Sequence, residues 1–114
     1  MTPRISRQPK RRYRRRTVRV LVDYQSDAGL ASDPATTLGA GGLFIETESP
    51  LTPGSRLKMH FHLPGSSETH EIEGRVCWSK QPHESGHHSP GMGIEFTDRN
   101  ATIPLARELE ALEP

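Results

Sequence analysis

With 114 residues, 32% of them hydrophobic, the chain has material for one small domain and no more. Ten glycines and ten prolines suit a turn-rich β fold better than a helical bundle, and no apolar run approaches the roughly 20 residues that a membrane-spanning helix needs. The net charge of +1 hides a division. Residues 1–19 hold nine of the fifteen Lys and Arg residues and no acid, which leaves six bases against fourteen acids, a net of −8, for the remainder. The N-terminal sequence lacks the apolar segment of a secretory signal, and the single cysteine, Cys77, excludes an internal disulfide; a cytoplasmic protein is expected.

Residues 1–9 are polar, contain two prolines and show no periodicity, so a disordered arm is expected there. The cationic run Arg11-Arg12-Tyr13-Arg14-Arg15-Arg16 leads into a strand pattern in which Val18, Val20, Val22 and Tyr24 alternate with Arg19, Leu21 and Asp23. Residues 25–34 read as turn, and a short second strand is expected from about Ala35 to Leu38. Gly41-Gly42 opens a third strand over Leu43 to Thr47. Leu57, Met59, Phe61 and Leu63 give the cleanest alternation in the chain, and Pro64-Gly65-Ser66-Ser67 closes it as a hairpin loop. The return strand sets Ile72, Gly74, Val76 and Trp78 on one face, with Gly74 expected to permit a bend or bulge. Residues 81–90 form a polar loop, Met92, Ile94 and Phe96 a last strand. Leu105, Leu109 and Leu112 are spaced for an amphipathic helix over 102–112, with Pro104 in its first turn. Six strands and a terminal helix make a small antiparallel barrel or sandwich.

Arg11, Arg12, Arg15 and Arg16 form two overlapping pairs four residues apart. Their planar donor forks grip phosphate bidentately and stack on flat bases, so the run fits an anion or a nucleic-acid backbone; the plainer alternative is an arm that is solvated or lies on its own acidic body. Gly39, Gly41 and Gly42 let backbone N–H groups approach a ligand closely, or simply form a tight turn. His60 and His62 share a strand face, with His70 opposite across the hairpin. This is a conceivable metal cluster, but without a companion Cys or carboxylate at a diagnostic spacing the histidines read as solvent-facing. Cys77 reads as inert packing. The chain has no phosphate-binding loop, nucleophile elbow or zinc-protease helix, and no catalysis is expected.

An RxxxR motif ahead of the first strand, followed by a (D/N)xSxxG motif before an apolar strand, is the signature of PilZ domains. Arg11-Arg12-Tyr13-Arg14-Arg15 and Thr37-Leu38-Gly39-Ala40-Gly41-Gly42 resemble these two motifs. The flanks Val18–Tyr24, Gly41–Thr47, Gly74–Trp78 and Pro90–Phe96 resemble the PilZ variants of gliding δ-proteobacteria. The likeness spans about residues 9–112. It implies a six-stranded antiparallel β-barrel with a short C-terminal helix: arginine motif at 10–16, barrel at 17–98, helix at 102–112. It also implies a receptor for cyclic di-GMP, in which Arg11, Arg12 and Arg15 hold phosphates and guanine edges, Arg16 adds a contact, and Gly41 and Gly42 shape the ligand-facing turn. The motif is degenerate, with Thr37 where the family has Asp or Asn and Gly39 where it has Ser. The resemblance therefore implies a non-enzymatic regulatory adaptor in second-messenger signalling, acting on motility or polarity through a protein partner, with cyclic di-GMP binding weakened or lost. The alternative is a functional receptor using Arg11, Arg12 and Arg15. A basic-arm nucleic-acid binder is the third reading; it rests on charge alone, with no aromatic stacking platform beyond Tyr13. No cofactor and no membrane insertion are expected.

Overall fold

In a computed structural model, which describes residues 18–84 and 89–112, the alternating segments become six antiparallel strands. They are β1 (Val20–Ser26), β2 (Gly29–Thr36), β3 (Gly42–Glu46), β4 (Arg56–Phe61), β5 (His70–Lys80) and β6 (Gly91–Phe96), followed by helix α1 (Arg99–Ala111). The strands close into a barrel in the order β1-β2-β3-β6-β5-β4. Closure buries the apolar member of each alternating pair: Val20, Val22 and Tyr24 from β1, Leu43 and Ile45 from β3, Leu57, Met59 and Phe61 from β4, and Ile72 and Val76 from β5. Among the described residues no helix is long and apolar enough to cross a membrane.

β2 is longer than the sequence suggests. Residues 25–34 are not a loop: the chain reverses over Asp27-Ala28, and β2 starts at Gly29, whose φ of 113° a residue with a side chain rarely adopts. The Ser26 hydroxyl accepts the Ala28 N–H at 3.1 Å and fastens the turn. Residues 29–32 are exposed, and Asp33 is drawn inward by the Tyr24 phenol, which donates to its carboxylate at 2.7 Å. Pro34 is tolerated because β3 meets β2 only at Ala35–Ile45 and Thr36–Phe44.

Helix α1 starts three residues earlier than the leucine spacing implies. Asp98 caps it, accepting the Ala101 N–H at 3.2 Å. Pro104 therefore falls in the second turn, where it removes one backbone hydrogen bond. Leu105 and Leu109 are buried against β5, whereas Leu112 is exposed. Gly74 does not mark the bulge expected of it. It lies in the barrel interior, where a Cβ would sit 2.7 Å from Ile94 Cγ2 and 2.9 Å from Met59 Cε. The register shift in β5 falls between Val76 and Trp78 instead.

Candidate functional site

The connection from β2 to β3 turns a corner over residues 37–41. Thr37 opens it with φ 47°, a left-handed conformation uncommon for a β-branched residue, and its hydroxyl donates to the Thr36 carbonyl at 2.7 Å. The Gly39 N–H donates to the Gly42 carbonyl at 3.0 Å, and the Phe96 N–H to the Gly41 carbonyl at 3.0 Å. The first closes the corner on itself and the second ties it to β6. At Gly42 any side chain would drive into the Ile94 carbonyl, so glycine is what lets β3 lie this close to β6.

The register then sets Phe44, Gly93 and Trp78 in one row across β3, β6 and β5. The shift after Val76 turns Trp78 outward rather than onto the inner face that simple alternation assigns it; it is 48% exposed. Its indole covers Gly93, where a Cβ would collide with the ring, and stacks on Phe44 with centroids 5.4 Å apart and planes 21° from parallel. One step along β6 stands Glu95, paired in register with Gly42 on one side and Arg75 on the other. Glu95 Oε1 accepts the Cys77 thiol at 3.2 Å and Arg75 Nη2 at 3.1 Å. The thiol and then the guanidinium hold the Glu95 carboxyl below its ordinary range, so it is an anion at neutral pH. What shielding Cys77 has, followed by the Glu95 carboxylate, raises its thiol and keeps it protonated. Cys77 is exposed, not packed in the core as its strand position suggested.

Together these groups line an open cleft of about 570 Å³. Thr37, Gly39, Gly41 and Gly42, singled out in the sequence, all lie on it. So do Phe44, Trp78 and Glu95, which no motif marks, and Cys77, whose strand position reads as inert packing. Arg11, Arg12, Arg15 and Arg16, with Tyr13, His87 and His88, lie outside the described residues. Besides Tyr13 of the arm the chain has the Phe44–Trp78 pair, which puts an aromatic surface on this cleft. It had no local signal, because its two members are brought together only by the register of three strands.

The histidines separate. His60 is exposed and bonds Glu71 at 2.8 Å, and His62 is exposed on the same face. His70 is not solvent-facing: it pairs with Phe61 in register, points inward and is buried under α1. Among the described residues no group of three or more metal-ligating side chains converges.

A family model for the PilZ domain matches residues 9–112. Among solved structures, the inhibitor of motility MotI/DgrA from Bacillus subtilis superposes with a TM-score of 0.65 at 20% identity, over 99% of this chain and 59% of that one. This chain thus spans under two thirds of MotI/DgrA. The PilZ domain of CeSA from a cellulose-synthesizing bacterium superposes with a TM-score of 0.60 at 17% identity, over 84% of this chain and 97% of that one. At these identities the likeness shows the fold. No curated protein sequence matches the chain. PilZ domains are non-enzymatic effector and adaptor domains, and the family binds cyclic di-GMP. With the family model covering nearly the whole sequence, and the barrel order and terminal helix in agreement, the chain belongs to the PilZ domain family.

Proposed function

We propose that this PilZ domain takes cyclic di-GMP in the cleft between the Thr37–Gly42 corner and Trp78, at reduced affinity, and passes the signal to a protein partner. The observation that carries this reading is the state of the two degenerate motif positions. Thr37 offers one hydroxyl, held by the Thr36 carbonyl, and Gly39 offers none, while the glycine corner and the open cleft persist. Two missing ligand hydrogen bonds at about 0.5–1.5 kcal/mol each weaken binding by roughly ten- to a hundredfold. In this reading Arg11, Arg12 and Arg15, with Arg16, close on the ligand's phosphates and guanine edges from the arm, since the described cleft lining contributes an acid, Glu95, and no cation. The fold shared with an inhibitor of motility supports placing the partner in a motility pathway.

Calorimetry of the full chain with cyclic di-GMP tests this. Saturable heat at micromolar ligand, abolished in Arg12→Ala, is expected. A flat titration at high protein concentration overturns nucleotide binding and leaves a partner-binding adaptor indifferent to the nucleotide. Affinity for unrelated DNA that falls steeply with salt would instead mark a nucleic-acid binder.

A further inference from the structure

We infer that Glu95 is a base-recognition residue of this cleft, accepting the donor edge of a guanine stacked on Trp78 and so replacing the carboxylate or amide that position 37 lacks. The inference rests on the cleft being the nucleotide site.

Three observations converge. Gly93 and Glu95 occupy the same outer face of β6, two residues and therefore about 7 Å apart. Gly93 carries the indole of Trp78, so a flat ring laid on the open part of Trp78 brings its edge towards the Glu95 carboxylate. Second, both bonds that orient Glu95, from Cys77 and Arg75, end on Oε1; Oε2 receives none from the described residues and remains an acceptor on the cleft. Third, Glu95 and its register partner on β3, Gly42, line the same cleft as Thr37, Gly39 and Trp78, so the carboxylate stands beside the glycine corner.

The chemistry selects the base. Guanine presents adjacent N1–H and N2–H donors, and Oε2 of the ionised carboxylate, which no described residue engages, can accept from that edge. Adenine presents a lone pair at N1 beside its amino group, and that lone pair would face the carboxylate and repel it. A site that hydrogen-bonds one edge rejects an analogue lacking the donors, because its own polar atoms are left unpaired. The plainer role for Glu95 is a surface ion pair with Arg75, in which both side chains are half exposed. Such a pair contributes little to stability and predicts no effect on base preference.

Trp78 is the sole tryptophan of the chain, so its fluorescence reports on the cleft directly. The full chain is titrated with cyclic di-GMP and with cyclic di-AMP, as the unaltered protein, as Glu95→Ala and as Arg75→Ala. Saturable quenching by cyclic di-GMP is expected, with cyclic di-AMP at least tenfold weaker. Glu95→Ala should weaken cyclic di-GMP at least tenfold and narrow that preference. Arg75→Ala breaks the same ion pair but keeps the carboxylate, and should retain the preference. Unchanged affinity and preference in Glu95→Ala, with the unaltered chain binding, overturn the role of Glu95 alone. Failure of the unaltered chain to bind either nucleotide overturns the cleft as a nucleotide site, and this inference with it.

Discussion

His70 Nε2 lies 2.6 Å from Glu108 Oε1, joining a strand of the barrel to the terminal helix beneath which the imidazole is buried. The ring also tilts against Phe61, with centroids 5.7 Å apart, so the contact combines packing with a polar bond. Replacing His70 with Ala leaves a cavity and strips the Glu108 carboxyl of its bond to the strand, with the Ser66 hydroxyl still in place. A loss of roughly 2–4 kcal/mol is expected in urea denaturation.

Glu108 gives the same junction a pH dependence. Its carboxyl is held below the ordinary range by the Ser66 hydroxyl first and by His70 second. A depressed folded pKa stabilises the fold above the unfolded value, near 4.5, and the benefit disappears as pH falls through the lower folded value. Glu108→Gln should therefore be less stable than the unaltered chain at pH 7, with the gap closing below about pH 4.5. Denaturation midpoints at pH 7 and pH 3.5 check this; a gap that stays constant contradicts it.

Tyr24 carries the opposite signature. Burial first, and the Asp33 carboxylate second, push its phenol up to about 12 from 10.0. The protonated phenol is favoured in the folded chain, so its contribution is complete below pH 10 and is lost between 10 and 12. Tyr24→Phe should cost about 1 kcal/mol at pH 7 through the missing bond to Asp33 and should remove that part of the alkaline decline.

Thr37 holds a left-handed backbone that a branched side chain disfavours. Asn and Asp adopt this conformation more readily, which gives a structural reason, separate from ligand contact, for their place at the head of the family motif. Thr37→Asn should raise the ligand-free Tm by about 4 °C, for roughly 1 kcal/mol of relieved strain. Thr37→Asp combined with Gly39→Ser should also raise cyclic di-GMP affinity. Calorimetry on both variants separates the gain in stability from the gain in binding.

Gly93 sits under the indole of Trp78. Gly93→Ala should displace the ring, shift the tryptophan emission and destabilise the barrel by roughly 1–3 kcal/mol. Emission and stability that both stay unchanged would contradict the packing described here.

Much of this molecule is local and therefore readable in its sequence. Leu57, Met59 and Phe61 declare their strand because one face of it is wholly buried. The Thr37–Gly42 segment is legible because its glycines lie within six residues. Only the end of β2, from Ala35, is legible, because residues 29–32 are exposed and carry no apolar rhythm. Simple alternation puts Trp78 on the wrong face because a single register shift after Val76 reverses it. His70 looks like a surface residue because its partner on the covering helix, Glu108, lies 38 residues downstream. The aromatic pair and Glu95 come from three different strands, and no short stretch of sequence contains their relationship.

Between β2 and β3 the barrel is joined at just two residue pairs, Ala35–Ile45 and Thr36–Phe44, immediately before Thr37. This short seam is the natural place for the cylinder to unzip, so its amide protons should exchange with deuterium ahead of those between β4 and β5, which share six pairs. A guest resting against the Thr37 corner, as proposed above, would brace the end of that seam and slow exchange at Thr36.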